Sequence, residues 1–233
     1  MHGSPAGLSS ADEIVFLFDC DNTLLDNDRV HDDLDARLSS TLGPEAASQY
    51  WRIFEHLRTD LGYADYLGAL QRLRLDLQQD PRVLELSGFL LDYPFADRLY
   101  PGALAALRRC RTWGPTVILS DGDAVFQPRK LERSGLHDAV EGRVLIYVHK
   151  EKMLADVMQR YPARRYVMVD DKLRLLAAMK SVMNDSLFTV FPRQGHYALD
   201  AAAIRELPPA DLSIEHVGDL ARHDFGKLTE VRR

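Results

Sequence analysis

Ile14-Val15-Phe16-Leu17-Phe18-Asp19-Cys20-Asp21-Asn22-Thr23 is the stretch from which the rest of the chain can be read. Its first five residues are aliphatic or aromatic without a polar break, the composition of a strand buried on both faces. The run then turns abruptly acidic. Residues two apart on an extended chain share a face, so Asp19 and Asp21 project the same way from the strand end. Two carboxylates that close repel, and one stays protonated unless a cation or a basic group joins them.

Four similar apolar runs follow: Thr116 to Leu119, Val144 to Val148, Tyr166 to Val169 and Leu187 to Phe191. Helical patterns separate most of them. Leu104, Leu107 and Cys110 repeat after the turn Tyr100-Pro101-Gly102. Met153, Leu154, Val157, Met158 and Tyr161 make one stripe, and Leu173, Leu176, Ala177 and Lys180 another. Buried strands alternating with amphipathic helices give an α/β fold, a Rossmann-like parallel sheet with helices on both faces. From about Asn27 to Asp97 strand signals stop. Trp51, Phe54, Leu57 and Leu61 form one helical stripe there, and Tyr66, Leu67, Leu70 and Leu73 a second. The expected organisation is a core of residues 1–26 and 98–233 with a helical cap, 27–97, inserted after the first strand; Leu91 to Asp97 is the return hinge.

In open parallel sheets ligands sit beyond the carboxyl ends of the strands. Here those ends carry Asp19 and Asp21, then Ser120-Asp121-Gly122, then His149-Lys150, then Asp170-Asp171. Taken singly, each has a plainer account. Asp and Ser after a strand often cap the next turn or helix, and Lys150 or Lys152 alone would read as a solvated charge. Carboxylates, a hydroxyl and an ammonium recurring at successive strand ends are what the plainer accounts leave unexplained. Together they suit a divalent cation and an anion bound side by side.

The chain carries 35 acidic and 29 basic residues, a formal charge of −6, so no basic surface is available to follow a phosphate backbone, and a nucleic-acid partner is not expected. An apolar fraction of 46% argues against disorder. Cys20 and Cys110 read as two small buried residues rather than a disulfide. Met1 to Asp12 lacks an apolar core and a basic start, and no run of about 18 apolar residues occurs. A cytoplasmic protein with no membrane partner is the expectation.

In order and spacing these strand ends resemble the signatures of the haloacid-dehalogenase (HAD) superfamily. Phe18-Asp19-Cys20-Asp21-Asn22-Thr23-Leu24 is similar to the first, Asp-x-Asp-x-Thr; Leu119-Ser120-Asp121-Gly122 to the second; Lys150 opening a helix to the third; and Val169-Asp170-Asp171 to the fourth. The helical insert after the first signature is similar to the family's helical-cap members. The resemblance implies a Mg²⁺-dependent phosphatase acting on a small phosphorylated metabolite. Asp19 would be the nucleophile that forms an aspartyl-phosphate, and Asp21 the acid and then the base. Ser120, Asp121, Gly122 and Lys150 would bind phosphate. Mg²⁺ would be held by Asp19, by the Asp21 backbone carbonyl and by Asp170 and Asp171. Two departures stand out. Lys172 and its neighbours follow the paired aspartates where the family's commoner form has a further acid, which leaves open whether Asp170 or Asp171 is the direct ligand. Lys150 is favoured as the signature lysine over Lys152, because a helix numbered from it aligns the apolar stripe.

Three other chemistries compete for the same residues. A dehalogenase has no use for Asp21. Phosphonate cleavage needs a cap lysine, and no lysine occurs between Met1 and Val125. A sugar-phosphate mutase stays open through His31, which otherwise reads as an exposed residue at the hinge or helix start, and through the cap arginines Arg52, Arg58, Arg72 and Arg74. A non-catalytic phosphometabolite-binding module is the remaining alternative.

Overall fold

In the computed structural model, which describes residues 12–229, the apolar runs join in one sheet. Its strands are β1 (Asp12–Phe18), β2 (Thr116–Asp121), β3 (Val144–Tyr147), β4 (Ala163–Val169), β5 (Leu187–Pro192) and β6 (Leu212–Ile214). They lie in the order β3-β2-β1-β4-β5-β6, with every neighbouring pair parallel. The architecture is the α/β Rossmann-like fold that the strand–helix alternation implies. The edge strand β6 is the element the sequence patterns miss, since three residues are too short for a periodicity to register. The reading of Met1 to Asp12 falls, Asp12 apart, outside the described residues. Among the described residues no helix is long and apolar enough to cross a membrane.

Ile14 to Phe18 are fully buried because both faces of β1 are covered. Ile14, Phe16 and Phe18 enter one apolar cluster, shared with the helices between β1 and β2, while Val15 and Leu17 enter a second on the opposite face. Before β2 the chain turns so tightly that a Cβ on Gly114 would lie 2.0 Å from the Ile14 carbonyl oxygen, so no larger residue fits without displacing the central strand.

Between β1 and β2 stand α1 (Asn27–Leu42), α2 (Pro44–Leu61), α3 (Tyr66–Asp76) and α4 (Arg82–Leu91). The Asp26 carboxylate caps α1 by accepting from Arg29 N–H (3.1 Å), and Asp65 caps α3 through Gly68 N–H (2.7 Å). Phe54 and Leu57 of the first stripe, and Tyr66, Leu70 and Leu73 of the second, are buried between the helices; Leu61, at the end of its stripe, is 40% exposed. α5 (Ala103–Cys110) leads back to β2, and α6 (Phe126–Ser134), α7 (Leu136–Ala139), α8 (Leu154–Arg160), α9 (Leu173–Met183) and α10 (Gly195–Leu199) complete the helices used below. α8 starts later than its apolar stripe suggests, because Lys150–Lys152 forms a separate 3-10 turn. Cys20 and Cys110 are buried and unpaired with each other.

The strand order fixes where a ligand can sit. From β1 the chain moves outward through β2 and β3; from β4 it moves the other way through β5 and β6. Adjacent β1 and β4 therefore send their connections to opposite sides, and their carboxyl ends flank the crevice such a reversal opens.

Candidate active site

Asp19 leaves β1 on that crevice, its N–H donating to the Val169 carbonyl at the end of β4 (2.9 Å), so both strand ends form one rigid floor. The Cys20 carbonyl then accepts from Leu24 (2.9 Å) and Leu25 (3.0 Å) N–H, and Asn22 adopts a positive φ of 58°. This tight turn is secured at Thr23, whose hydroxyl accepts from Asp171 N–H (3.0 Å) and whose carbonyl accepts from buried Gln194 (2.7 Å).

Asp19, Asp170 and Asp171 converge there, each with a carboxylate oxygen within 4.8 Å of the others. All three are buried. Lys150 enters from the 3-10 turn after β3, with its ammonium 2.5 Å from Asp19 Oδ1 and 2.7 Å from Asp170 Oδ2. The turn is held by Asp121, whose Oδ1 accepts from Lys150 N–H (2.7 Å). Lys152 instead lines the open cleft; Lys150 is the lysine brought to the acids, through the turn rather than through the helical stripe. Asp19 Oδ2 and both Asp171 oxygens are buried without a hydrogen-bond partner among the described residues.

Burial raises the Asp19 carboxyl to about 6, with Lys150 opposing the rise and Asp170 adding to it. Burial and then Asp170 push Asp171 well above the ordinary carboxylate range. Burial alone would depress Lys172; the charges of Asp19, Asp171 and Asp170 reverse that and raise it. With every group ionised, the acids Asp19, Asp21, Asp121, Asp170 and Asp171 face the three ammonium groups of Lys130, Lys150 and Lys172, which leaves two negative charges. Unpartnered buried oxygens, an all-oxygen donor set and this residual charge fit a hard divalent cation.

Asp21 lies on the cleft side and is the contact that sequence reading did not anticipate in full. Its Oδ1 accepts from the Lys130 ammonium (2.6 Å) and its Oδ2 from Gln127 Nε2 (3.4 Å), both on α6. Burial disfavours the Lys130 ammonium, but the charge and hydrogen bond of Asp21, with Cys20 and Tyr66 adding to them, outweigh it, and its pKa is raised. Gln127 also donates to the Ser120 hydroxyl (3.0 Å). Gly122 N–H donates to the Tyr147 carbonyl (3.1 Å), so this one of the turn N–H groups is already engaged.

Above this floor opens a cleft of about 1110 Å³ between the sheet edge and helices α1 and α2, with Asp21, His31, Arg58, Tyr66, Lys152 and Lys172 among its walls. Polar contacts that cross it include Asp28 of α1 with His196 of α10 (2.5 Å) and Arg58 of α2 with the Tyr197 hydroxyl (3.0 Å). His31 lies within α1, stacked on Trp51 with ring centroids 3.8 Å apart.

These strand ends are those of a hydrolase family. The family model for haloacid dehalogenase-like hydrolases matches residues 15–182, and the chain belongs to that family. A crystal structure of a haloacid dehalogenase-like hydrolase from Burkholderia xenovorans LB400 is similar, with 62% identity over 94% of this chain and 100% of that one and a TM-score of 0.88. Two more distant structures share the fold. One is a haloacid dehalogenase-like family hydrolase from Xanthomonas campestris (18% identity, 91% and 90% covered, TM-score 0.65). The other is the L-2-haloacid dehalogenase from Xanthobacter autotrophicus (19% identity, 89% and 96% covered, TM-score 0.56). No curated protein matches the chain.

Proposed function

We propose that this hydrolase is a Mg²⁺-dependent phosphomonoesterase acting on a small phosphorylated metabolite. The observation that carries the reading is the pairing of a buried Asp19–Asp170–Asp171 trio, poor in hydrogen-bond partners, with a second carboxylate, Asp21, that is 25% exposed to the cleft. Displacement of a halide requires neither. A halide leaves without a proton, so Asp21 would be idle, and an anionic trio beside a haloacid carboxylate would repel it.

In the first step an Asp19 carboxylate oxygen attacks phosphorus, the bond from phosphorus to the ester oxygen breaks, and Asp21 gives that oxygen a proton. In the second, Asp21 takes a proton from water as the water oxygen attacks phosphorus, and the bond to Asp19 breaks, restoring the carboxylate. Lys150 keeps Asp19 oriented and supplies positive charge beside the phosphoryl oxygens, where charge develops in the transition state. Ser120, fixed by Gln127, offers its hydroxyl to the same group. Asp121 serves by holding the Lys150 turn. Thr23 shapes the loop that aligns Asp171. Asp19, Asp170, Asp171 and the Asp21 backbone carbonyl would hold Mg²⁺, which when bound neutralises the crowded acids and the phosphoryl charge. Asp171 is the stronger candidate for a direct ligand than Asp170, since Lys150 already pairs with Asp170.

The test is phosphate release from 4-nitrophenyl phosphate with Mg²⁺, with EDTA, and with Asp19→Asn, run beside halide release from 2-chloropropionate. Metal-dependent phosphate release that is lost in the variant supports the reading. Halide release without phosphate release overturns it.

A further inference from the structure

Lys130 has no part in the reaction as written above, yet it is among the most deeply buried charged groups of the chain: its side chain is 1% exposed, while the Asp21 carboxylate it pairs with is 25% exposed. Burying an ammonium costs several kcal/mol unless partners compensate, and an apolar side chain of similar volume would pack at least as well. Its partners are therefore informative. Phe126 lies 5.3 Å and Tyr66 6.0 Å from the ammonium at their ring centroids, closing it off from the cleft. The two oxygen acceptors are Asp21 Oδ1 (2.6 Å) and Asn27 Oδ1 (3.0 Å).

Gln127 and Lys130, three apart on α6, share a face. From that face both oxygens of one carboxylate are engaged, Oδ1 by Lys130 and Oδ2 by Gln127. On the other side, Asn27 begins α1, and its Nδ2 donates to the hydroxyl of Tyr66 (3.1 Å), which begins α3. A continuous polar path thus runs from Asp21 through Lys130 and Asn27 to two helix starts of the cap. α6 is fastened to the cap's return segment as well: Arg133 donates to the Asp92 carbonyl (2.8 Å) and Arg129 to the Leu91 carbonyl (3.2 Å).

We propose that Lys130 is a positioning residue for Asp21, holding the carboxylate at a fixed angle to the cleft and tying that angle to the cap; this rests on the phosphomonoesterase reading. Lys130 cannot touch substrate from its buried place, so it acts through Asp21. Its contribution follows the need for a well-placed proton donor. An ester with a basic alkoxide leaving group needs that proton as the bond to phosphorus breaks, whereas a nitrophenolate leaves nearly without it. Lys130 thereby broadens the esters the enzyme accepts toward those of ordinary alcohols.

The test is a leaving-group series of 4-nitrophenyl, phenyl and benzyl phosphate, read as kcat/KM, which reports the steps through formation of the aspartyl-phosphate. Lys130→Met keeps the volume beside Phe126 and removes the tie. It is expected to lower kcat/KM for benzyl phosphate at least about tenfold more than for 4-nitrophenyl phosphate, within the 10²–10⁴-fold that a positioned acid supplies. Lys130→Arg, which keeps a cation facing Asp21, is expected to recover part of that difference. A merely structural residue would scale all three esters alike, and equal losses across the series in a variant with the wild-type melting profile would overturn the proposal. Should Lys130→Met not fold, Asn27→Ala decides: loss of the second acceptor loosens Lys130, steepening the series by a smaller factor, and a series parallel to wild type overturns the tie. Wild-type enzyme that hydrolyses none of the three would sink the phosphomonoesterase reading itself, and this proposal with it.

Discussion

Asp19→Asn should make the metal-free protein more stable while abolishing its activity. The reasoning starts from burial. Asp19 is 3% exposed, and its carboxyl is raised from 3.8 to about 6, chiefly by loss of solvent, even with the Lys150 ammonium 2.5 Å away. An acid whose folded-state pKa lies above its unfolded value destabilises the fold only where it must ionise. Below pH 3.8 the carboxyl is protonated in both states and contributes nothing; between 3.8 and about 6 the folded state holds the extra proton and stability falls as pH rises; above about 6 the loss is complete. At 1.36 kcal/mol per pKa unit the full loss is on the order of 3 kcal/mol. Asparagine has the shape of the carboxyl without its charge, so Asp19→Asn should recover about that amount at pH 7.5 and almost none at pH 4. For a chain of this length, 3 kcal/mol corresponds to a rise in Tm of about 6–12 °C. Urea and thermal melts of both proteins in EDTA at the two pH values measure it. A variant no more stable than wild type at pH 7.5, or one whose gain is the same at pH 4, would mean that the Lys150 pair outweighs desolvation and that the trio is not the strained anionic site described here.

Divalent cation should reverse the same effect: Mg²⁺ at about 100 times its Kd should stabilise wild type by about 2.7 kcal/mol at pH 7.5, visible as a rise in Tm, and much less at pH 4, where the Asp19 and Asp171 carboxyls, both raised, are largely protonated. Lys150→Ala leaves Asp19 and Asp170 without their cation; we expect a loss of activity of 100-fold or more, roughly the scale of removing one transition-state donor, and destabilisation of about 3–5 kcal/mol in urea at pH 7.5. Gly114→Ala would press a Cβ to 2.0 Å from the Ile14 carbonyl, so it should cost roughly 2 kcal/mol or more in the same assay, whereas Gly88→Ala, whose Cβ meets nothing within 4 Å, should be neutral or slightly stabilising.

How much of this was legible in the sequence depends on where along the chain each group lies. Asp19, Asp21, Ser120, Asp170 and Asp171 could be read because each lies at or just past the end of an apolar run, and the strand carries these residues to the sheet edge. The parallel order needed nothing beyond strand–helix alternation, and β1 between β2 and β4 then brings the acids of two strand ends together. Lys150 and Lys152 could not be told apart by the helical stripe, because a 3-10 turn intervenes before the helix; it is this turn, set by Asp121, that carries Lys150 to the acids.

Lys130 and Gln127 were not legible, and the reason is physical. Phe126 to Ser134 contains Arg129, Lys130, Glu132 and Arg133, a composition that reads as a solvated helix. On the helix surface, though, Lys130 falls one turn from Phe126 and Gln127 and shares its buried face with Ser134, while Arg129, Glu132 and Arg133 take the other side. A single cation on an otherwise uncharged stripe was the available signal. Its cost in an apolar setting implies an acid across the interface, but the sequence has many acids and periodicity cannot say which one. That choice is made by tertiary packing, with α6 wedged between the sheet edge and the cap, where Asp21 and Asn27 both come within reach. The residues that carry the chemistry follow from local order along strands, and those that aim it follow from contacts between elements. Variation in substrate preference among similar chains should therefore be sought first at α6 and the helix starts it touches, rather than in the strand-end motifs.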